Sequence, residues 1–524
     1  MSAFQSRLRR RGGPRSKSGC ENCKARHIKC DETRPYCRRC IQKGWVCGGY
    51  SAVEGNQQIT PGLVETSITA YYAIPFRIPG SQQDRRLLHY FCVRGAGDLS
   101  GHLGSEFWTR LVLQHSHDHV PVRQAVVALS CAHQCYIMAH DGGDPVPADA
   151  IVHYSRAMRS LRKHMSVGID NKVEISAVIP LVCSILFCCF ENMQGNTEAA
   201  LRHLSSGIAI LARQKERGRL NYEGRDNERL DLLEHMLARL DLQASMFDDA
   251  RLPLMRQSLT IETEESSSDT FQTIDNAQAD LTRLQSGKLQ FLIHNETLKF
   301  WPEHDLPEVV KLEKQAIEEA CTVWYEKLGR FVHDHSISPA EHDKKHDGSE
   351  ISGTSRGEDG CSAQVRESAQ DPAITILLIH YHIFRLLLSA SLPHDPSVFG
   401  APPGTAHYNT LNRILDLMES TPQARGAGSR SLGAETGIVA PLFLLIMKCT
   451  DPAVFERALN LLLAISGRRE GMFDSRVLAE IAMRFASQHQ TPLGTVALEW
   501  QAGDALEKRV NGLAGFAKNL GVIP

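Results

Sequence analysis

Six of the fifteen cysteines in this 524-residue chain lie between Cys20 and Cys47, and their spacing is a repeat. Cys20-x2-Cys23-x6-Cys30 recurs as Cys37-x2-Cys40-x6-Cys47, with a six-residue joint between the halves. A C-x2-C turn aims two thiolates at one tetrahedral ion, and structural zinc takes four such ligands at about 2.3 Å. Six sulfurs satisfy two zinc ions only if two of them are shared. Cys20 and Cys37 lead their halves and are equivalent under the repeat, so they are the expected bridges. One ion then takes Cys20, Cys23, Cys30 and Cys37, and the other Cys20, Cys37, Cys40 and Cys47. So short a segment has too little apolar side chain to fold by burial. Metal binding, about 10–16 kcal/mol apparent per structural zinc, is expected to be its folding energy.

A disulfide knot, a mononuclear zinc site with two spare thiols and an iron–sulfur site are the competitors. Disulfides belong to oxidising compartments, whereas the stretch MSAFQSRLRRRGGPRSKSG carries charges and no apolar run of the secretory type. The other two leave the doubled spacing unexplained.

The stretch from 16 to 50 resembles the DNA-binding module of the fungal Zn2Cys6 binuclear-cluster transcription regulators. The resemblance rests on the six cysteines, the basic run Lys24, Arg26 and Lys29, the segment Cys30-Asp31-Glu32, Pro35 in the joint, and Arg38-Arg39 inside the second C-x2-C. It implies a short helix that opens at the first cysteine and presents its C-terminal end to the DNA major groove, with a base triplet of the CGG kind as target. Lys24 and Lys29 are then phosphate partners, and Arg26 and His27 sit at the tip facing the bases. A solvated charged face is the bland alternative for the two lysines. His27 departs from the family pattern, where a second Lys or Arg is usual. A neutral imidazole can donate to or accept from a base edge but lacks a fixed charge. The resemblance also suggests a cis peptide at Pro35. Trp45 and Tyr50 are expected to cover the cluster rather than to stack on bases.

Charge points the same way. Residues 1–50 hold thirteen Lys or Arg against three Asp or Glu, while the chain as a whole is at −2. The basic module favours phosphate, and the remainder is acidic. The tail 1–15 and its continuation, with Arg7, Arg9, Arg10, Arg11, Arg15 and Lys17, reads as a nuclear localisation signal or an extra phosphate-binding arm.

Residues 51–83 are polar and punctuated by Pro and Gly, which predicts a linker without the sustained heptads of a coiled coil. Residues 84–524 predict a large, mostly all-α domain. Val122, Ala125, Val126 and Leu129 follow Pro121 on one helical face, as do Leu201, Leu204, Ile208 and Leu211, and Val454, Ala458, Leu461 and Ile465. The apolar runs 178–190 and 373–388 contain a proline, or histidines and an arginine, and read as core helices rather than membrane spans. Flexible loops are expected near 257–276, 334–371 and 421–437. The first holds an acidic TEESSSD, read as a solvated loop, and the second holds His333, His335, His342 and His346, too irregular for a metal site. His115, His117 and His119 are expected on a loop before the Pro121 helix. This region resembles, more weakly, the helical regulatory domain of the same family, around FENMQGNTEAALRHLSSGIAIL and from IVAPLFLLIMKC through RREGMFDS. That implies a domain that restrains or dimerises the DNA-binding module and senses a metabolite.

No G-x-S-x-G elbow, H-E-x-x-H, phosphate loop or strand-linked G-x-G-x-x-G is present, and zinc held by four thiolates has no open position for catalysis. The sequence therefore predicts a zinc-dependent, sequence-specific nuclear regulator of RNA polymerase II genes, not an enzyme. Its expected partners are double-stranded DNA, the transcription machinery and a second copy bound through the helical domain, with no membrane. A pathway-specific activator is what the resemblance favours. The alternative is a nuclear interaction protein or corepressor whose cluster does not read DNA.

Overall fold

The computed structural model describes residues 19–33, 37–43, 45, 47, 79–103, 105–139, 147–171, 176–218, 225–247, 251–255, 270–336, 371–422 and 430–488. The chain divides into two compact units, residues 1–67 and 68–524. The basic residues of the tail, Pro35, Tyr50, the acidic TEESSSD, His342, His346 and most of the linker lie outside the described residues.

In the first unit two five-residue helices, α1 (Glu21–Ala25) and α2 (Arg38–Gln42), start at Cys20 and Cys37. The only buried hydrophobic cluster among its described residues consists of cysteines, flanked by half-buried Ile28, Trp45 and Cys47.

The second unit opens with α3 (Gln82–Tyr90), where Ser81 and Asp84 form a capping box two residues ahead of the expected linker boundary. Then come α4 (Ala96–Ser100), α5 (Val112–Asp118), α6 (Val120–Met138), α7 (Ala148–Asn171), α8 (Val178–Gln194), α9 (Thr197–Gly218) and α10 (Arg225–Phe247). They are followed by α11 (Ile274–His294), α12 (Glu308–Ser336), α13 (Pro372–Ser391), α14 (Ala406–Ser420), α15 (Val439–Lys448), α16 (Pro452–Ala464) and α17 (Ser475–Gln488). The sequence marks several of these ends. Asp371 and Asp451 each stand before a proline and accept from Ala373 N at 2.8 Å and Val454 N at 2.9 Å, so α13 and α16 begin with an N-cap followed by a proline that needs no donor. α8 stops at Gly195, whose φ of 75° a side chain would resist.

Two cores result. The first joins α3 to α10 around Trp108, Phe107, Phe91 and Phe190, and the second joins α11 to α17 around Phe291, Phe384, Leu378 and Leu442. Val122, Ala125, Val126, Leu129, Leu204, Ile208, Leu211, Val454, Ala458 and Ile465 are buried as expected, while Leu201 and Leu461 are half-buried. α8 and α13 are core helices. α13 is long and apolar enough to cross a membrane, yet 72% of its apolar window is buried inside the fold.

Three loop expectations need correction. His115 and His117 lie on α5, because a π-helical turn at Phe107–Leu111 carries the chain into helix before His119 breaks it. His333 and His335 lie in the last turns of α12, and His335 Nδ1 pairs with Phe331 O at 2.8 Å. The expected break at 421–437 contains structure instead. Residues Ser431–Gly433 form β1, parallel to β2 (Arg468–Glu470), which pairs antiparallel with β3 (Phe473–Asp474).

This small sheet ties the cores together. Leu432 packs in the first and Phe473 in the second. On β2, buried Arg469 donates to the last carbonyls of α8, reaching Met193 O at 2.8 Å and also Asn192 O. The next residue, buried Glu470, accepts from Gly437 N at 2.7 Å, Ile438 N at 3.3 Å and Val439 N at 2.9 Å and so caps α15. A cation at a helix C-terminus and an anion at a helix N-terminus both suit the helix dipole. Gly437 is required here, because a Cβ would lie 2.5 Å from the Glu470 carboxylate.

Candidate metal centre and nucleic-acid interface

The repeat of seventeen residues in sequence is also a repeat in hydrogen bonding. Cys20 caps α1, its Sγ accepting from Cys23 N at 3.5 Å, as Cys37 caps α2 through Cys40 N at 3.3 Å. Cys20 N donates to Cys30 Sγ at 3.4 Å, and Cys37 N to Cys47 Sγ at 3.4 Å. Ile28 N closes α1 onto Cys23 O at 3.0 Å, and Trp45 N closes α2 onto Cys40 O at 2.8 Å. The two halves are locked to each other by Asp31, which accepts from Arg38 N at 3.0 Å and Arg39 N at 3.3 Å, and by Arg39 Nη1, which donates to Lys29 O at 3.1 Å. Thr33, with those amides, holds the Asp31 carboxyl down at about 2.

The sulfurs fall into two sets of four, Cys20, Cys23, Cys30, Cys37 and Cys20, Cys37, Cys40, Cys47, each set within 4.8 Å of itself. Cys20 and Cys37, common to both, are 3.7 Å apart. A regular tetrahedron with metal–sulfur bonds of about 2.3 Å has edges of about 3.8 Å, so the spacing fits a shared edge. Burial pushes the Cys20, Cys23, Cys37 and Cys40 thiols up when no cation is beside them. Such buried sulfurs become thiolates only with a compensating metal, and the amide N–H groups aimed at them support that charge.

Lys24, Arg26, His27 and Lys29 are all exposed at the C-terminal end of α1. The end is a Schellman turn: His27 N donates to Lys24 O at 3.1 Å, and Ile28 N spans back to Cys23 O. His27 occupies the left-handed position with φ 54°, where the corresponding place in the second half is Gly44. Arg26 is held rather than free, its guanidinium 4.2 Å over the Trp45 ring and its Nε donating to Asn22 Oδ1 at 3.0 Å. Trp45 thus covers the cluster and orients a basic residue. The structural roles of Asn22 and Arg39 were not singled out from sequence, although both lie within the C-x2-C turns.

The profile of the fungal Zn(2)-Cys(6) binuclear cluster domain matches residues 18–56, and that of the fungal specific transcription factor domain matches residues 86–293. The chain thus carries the binuclear cluster domain of the fungal Zn(2)-Cys(6) transcription factors together with their fungal specific transcription factor domain. The six clustered cysteines are the ligands with which the binuclear cluster domain binds its two zinc ions. The family implies the nucleus. Relatives include the aspercryptin biosynthesis cluster-specific transcription regulator atnN of Emericella nidulans, 26% identical over 77% of this chain and 64% of that protein. The transcription regulator lscL of Purpureocillium lilacinum is 24% identical over 60% of this chain and 79% of its own. The Zn(2)-C6 fungal-type transcription factor afumD of Aspergillus fumigatus is 28% identical over 30% and 42%. The match thus spans less than two thirds of the length of the Emericella and Aspergillus relatives. No solved structure matches the chain.

Proposed function

We propose that this regulator binds DNA sequence-specifically at RNA polymerase II promoters, reads a CGG-like triplet in the major groove, and activates the genes of one pathway. The observation that carries this reading is the exposed end of α1, where four basic or imidazole side chains surround a helix terminus pinned by its Schellman turn and by the cysteine cluster. A rigid terminus places contacts without an ordering cost. Lys24 and Lys29 bind phosphates, and Arg26 and His27 address base edges. Cys20 and Cys37 are the bridging ligands, an assignment supported by their 3.7 Å separation. When bound, the two zinc ions supply the folding energy of the module. The role named for the Emericella relative, cluster-specific regulation of a biosynthesis, supports a pathway-specific target. Arg7, Arg9, Arg10, Arg11, Arg15 and Lys17 serve nuclear import or grip phosphate outside the triplet. The helical unit supplies the surfaces for homodimerisation and for the transcription machinery.

In vitro selection from a random DNA library tests this, using the zinc-loaded full chain and His27→Gly in parallel. The wild type is expected to enrich a CGG-like motif, and failure to enrich any motif with zinc bound would sink the DNA-reading role. His27→Gly relieves a left-handed residue worth about 1 kcal/mol and keeps both zinc ions. It is expected to alter the enriched triplet or weaken specific binding about tenfold, within the range of one lost base contact. An unchanged motif and affinity would remove His27 from the reading tip.

A further inference from the structure

The helical unit contains a cavity of about 270 Å³ where its two cores meet. One wall is α4 with the turns on either side of it, with Arg94 from the turn before and Gly97, Asp98 and Ser100 on the helix. The other is β1 and its exit, with Arg430, Gly433 and Glu435, joined by Arg468 from β2. Leu99 and Leu432 line it from the first core, and Leu103 and Ile376 from the second. The walls meet where Ala434 N donates to Leu99 O at 3.1 Å. At about 30 Å³ per water the space holds about nine waters, room for a small metabolite, and junctions between packed bodies are where such sites form.

Three features set this cavity apart from ordinary packing. The near wall is irregular, because a π-helical turn at Phe91–Gly95 leads into α4, which ends at Gly101 with φ 60° and ψ −147°. Irregularities of these kinds concentrate at functional sites. Ser100 is 3% exposed, yet its hydroxyl makes no hydrogen bond among the described residues, and buried hydroxyls nearly always make one. Three arginines and two carboxylates, Asp98 and Glu435, also line it, and Glu435 is already paired with Arg239 at 3.3 Å. Arg94 Nε donates to Asp98 at 2.9 Å at the rim, and Arg468 is held by Glu470 at 2.5 Å and Ser431 at 3.3 Å. Arg430 lies 5.4 Å over the Tyr136 ring. A guanidinium carries five N–H donors, more than the contacts that position Arg94 and Arg468 use.

We propose that this cavity binds a small organic anion, a carboxylate- or phosphate-bearing metabolite, through Arg94, Arg430 and Arg468 with Ser100 as hydroxyl partner, and that the ligand clamps the two helical cores together. Arginine forks match both oxyanions. A ligand that needs both walls binds only their packed arrangement, so it raises the unfolding temperature of the unit by mass action.

The test is thermal unfolding of the zinc-loaded full chain at constant ionic strength with inorganic phosphate, succinate or neutral succinamide, each up to about 20 mM. A saturable upward shift with phosphate or succinate and none with succinamide is expected, and the stronger anion identifies the head group. Gly97 lines the cavity at an exposed position, and a Cβ built there meets nothing within 4 Å, so Gly97→Leu starts its side chain in open space and adds bulk at the cavity mouth. That variant should unfold like the wild type without anion and bind the anion at least tenfold more weakly. Arg94→Gln, at a half-exposed rim position, should weaken binding without unfolding the domain. This comparison also separates the cavity from anions held by the basic N-terminus. Absence of a saturable shift with both anions, an equal shift from succinamide, or wild-type anion affinity in both variants would overturn the proposal.

Discussion

The two units of this chain are stabilised by opposite means. In the cluster the buried hydrophobic residues among those described are cysteines, so its inside is a set of metal ligands. In the helical unit the inside is two apolar cores built from leucines, isoleucines and aromatics. The same residue type takes different parts in the two. Cys183, Cys188 and Cys189 on α8 are buried among apolar neighbours, and burial pushes their thiols up, to about 12 for Cys188. They behave as small hydrophobes, whereas Cys20 to Cys47 converge on one another. Neighbours, not cysteine itself, decide which chemistry results.

The largest test of this contrast is zinc removal. Chelation of the full chain should abolish DNA binding and the ordered signals of residues 19–47, since about 10–16 kcal/mol per site is withdrawn. The thermal transition of the helical unit should stay where it was. A helical transition that collapses with the zinc would break the comparison.

Substituting single ligands sharpens it. Cys37→Ser, at a proposed bridge, should release both zinc ions, whereas Cys47→Ser, in one sulfur set only, should spare one. Metal content per chain by mass spectrometry reads this directly, and equal losses would undo the bridging assignment.

The smallest effect is on the other side. Leu378 is fully buried in the second core, and Leu378→Ala should cost about 2–5 kcal/mol. Denaturant unfolding followed by helix content should show the loss, with zinc content unchanged at two per chain. A drop in zinc content would mean that the units do not fold independently.

The cluster was almost wholly legible in the sequence, because its ligands are local and their spacing carries the geometry. The hydrogen bonds that repeat at seventeen residues, from Cys20 N to Cys30 Sγ and from Cys37 N to Cys47 Sγ, follow the repeated letters. The left-handed place of His27 was not legible, since a histidine gives no such signal where Gly44 in the second half would. In the helical unit, three-four periodicity found the buried faces of α6, α9 and α16. It missed the sheet, whose strands have two or three residues and cannot show an alternating pattern. It also misread α5, where polar histidines mask a helix continued from a π-turn.

What the sequence by itself determined is therefore the set of things written within about one helical turn or one metal loop: the paired cysteine sets, the basic helix end, the apolar stripes and the Asp-Pro starts of α13 and α16. Only the tertiary structure decided which distant pieces meet. Arg469 and Glu470 are adjacent in sequence but cap opposite ends of two helices from different cores, α8 and α15. The cavity likewise draws on residues 94–103, 376, 430–437 and 468. Helical periodicity identifies the face that each helix buries but leaves open its partner face, because hydrophobic burial has no direction and many pairings bury equal area. Shape, buried charge and the few glycines that permit close approach then select one pairing, and they act only once the chain is packed.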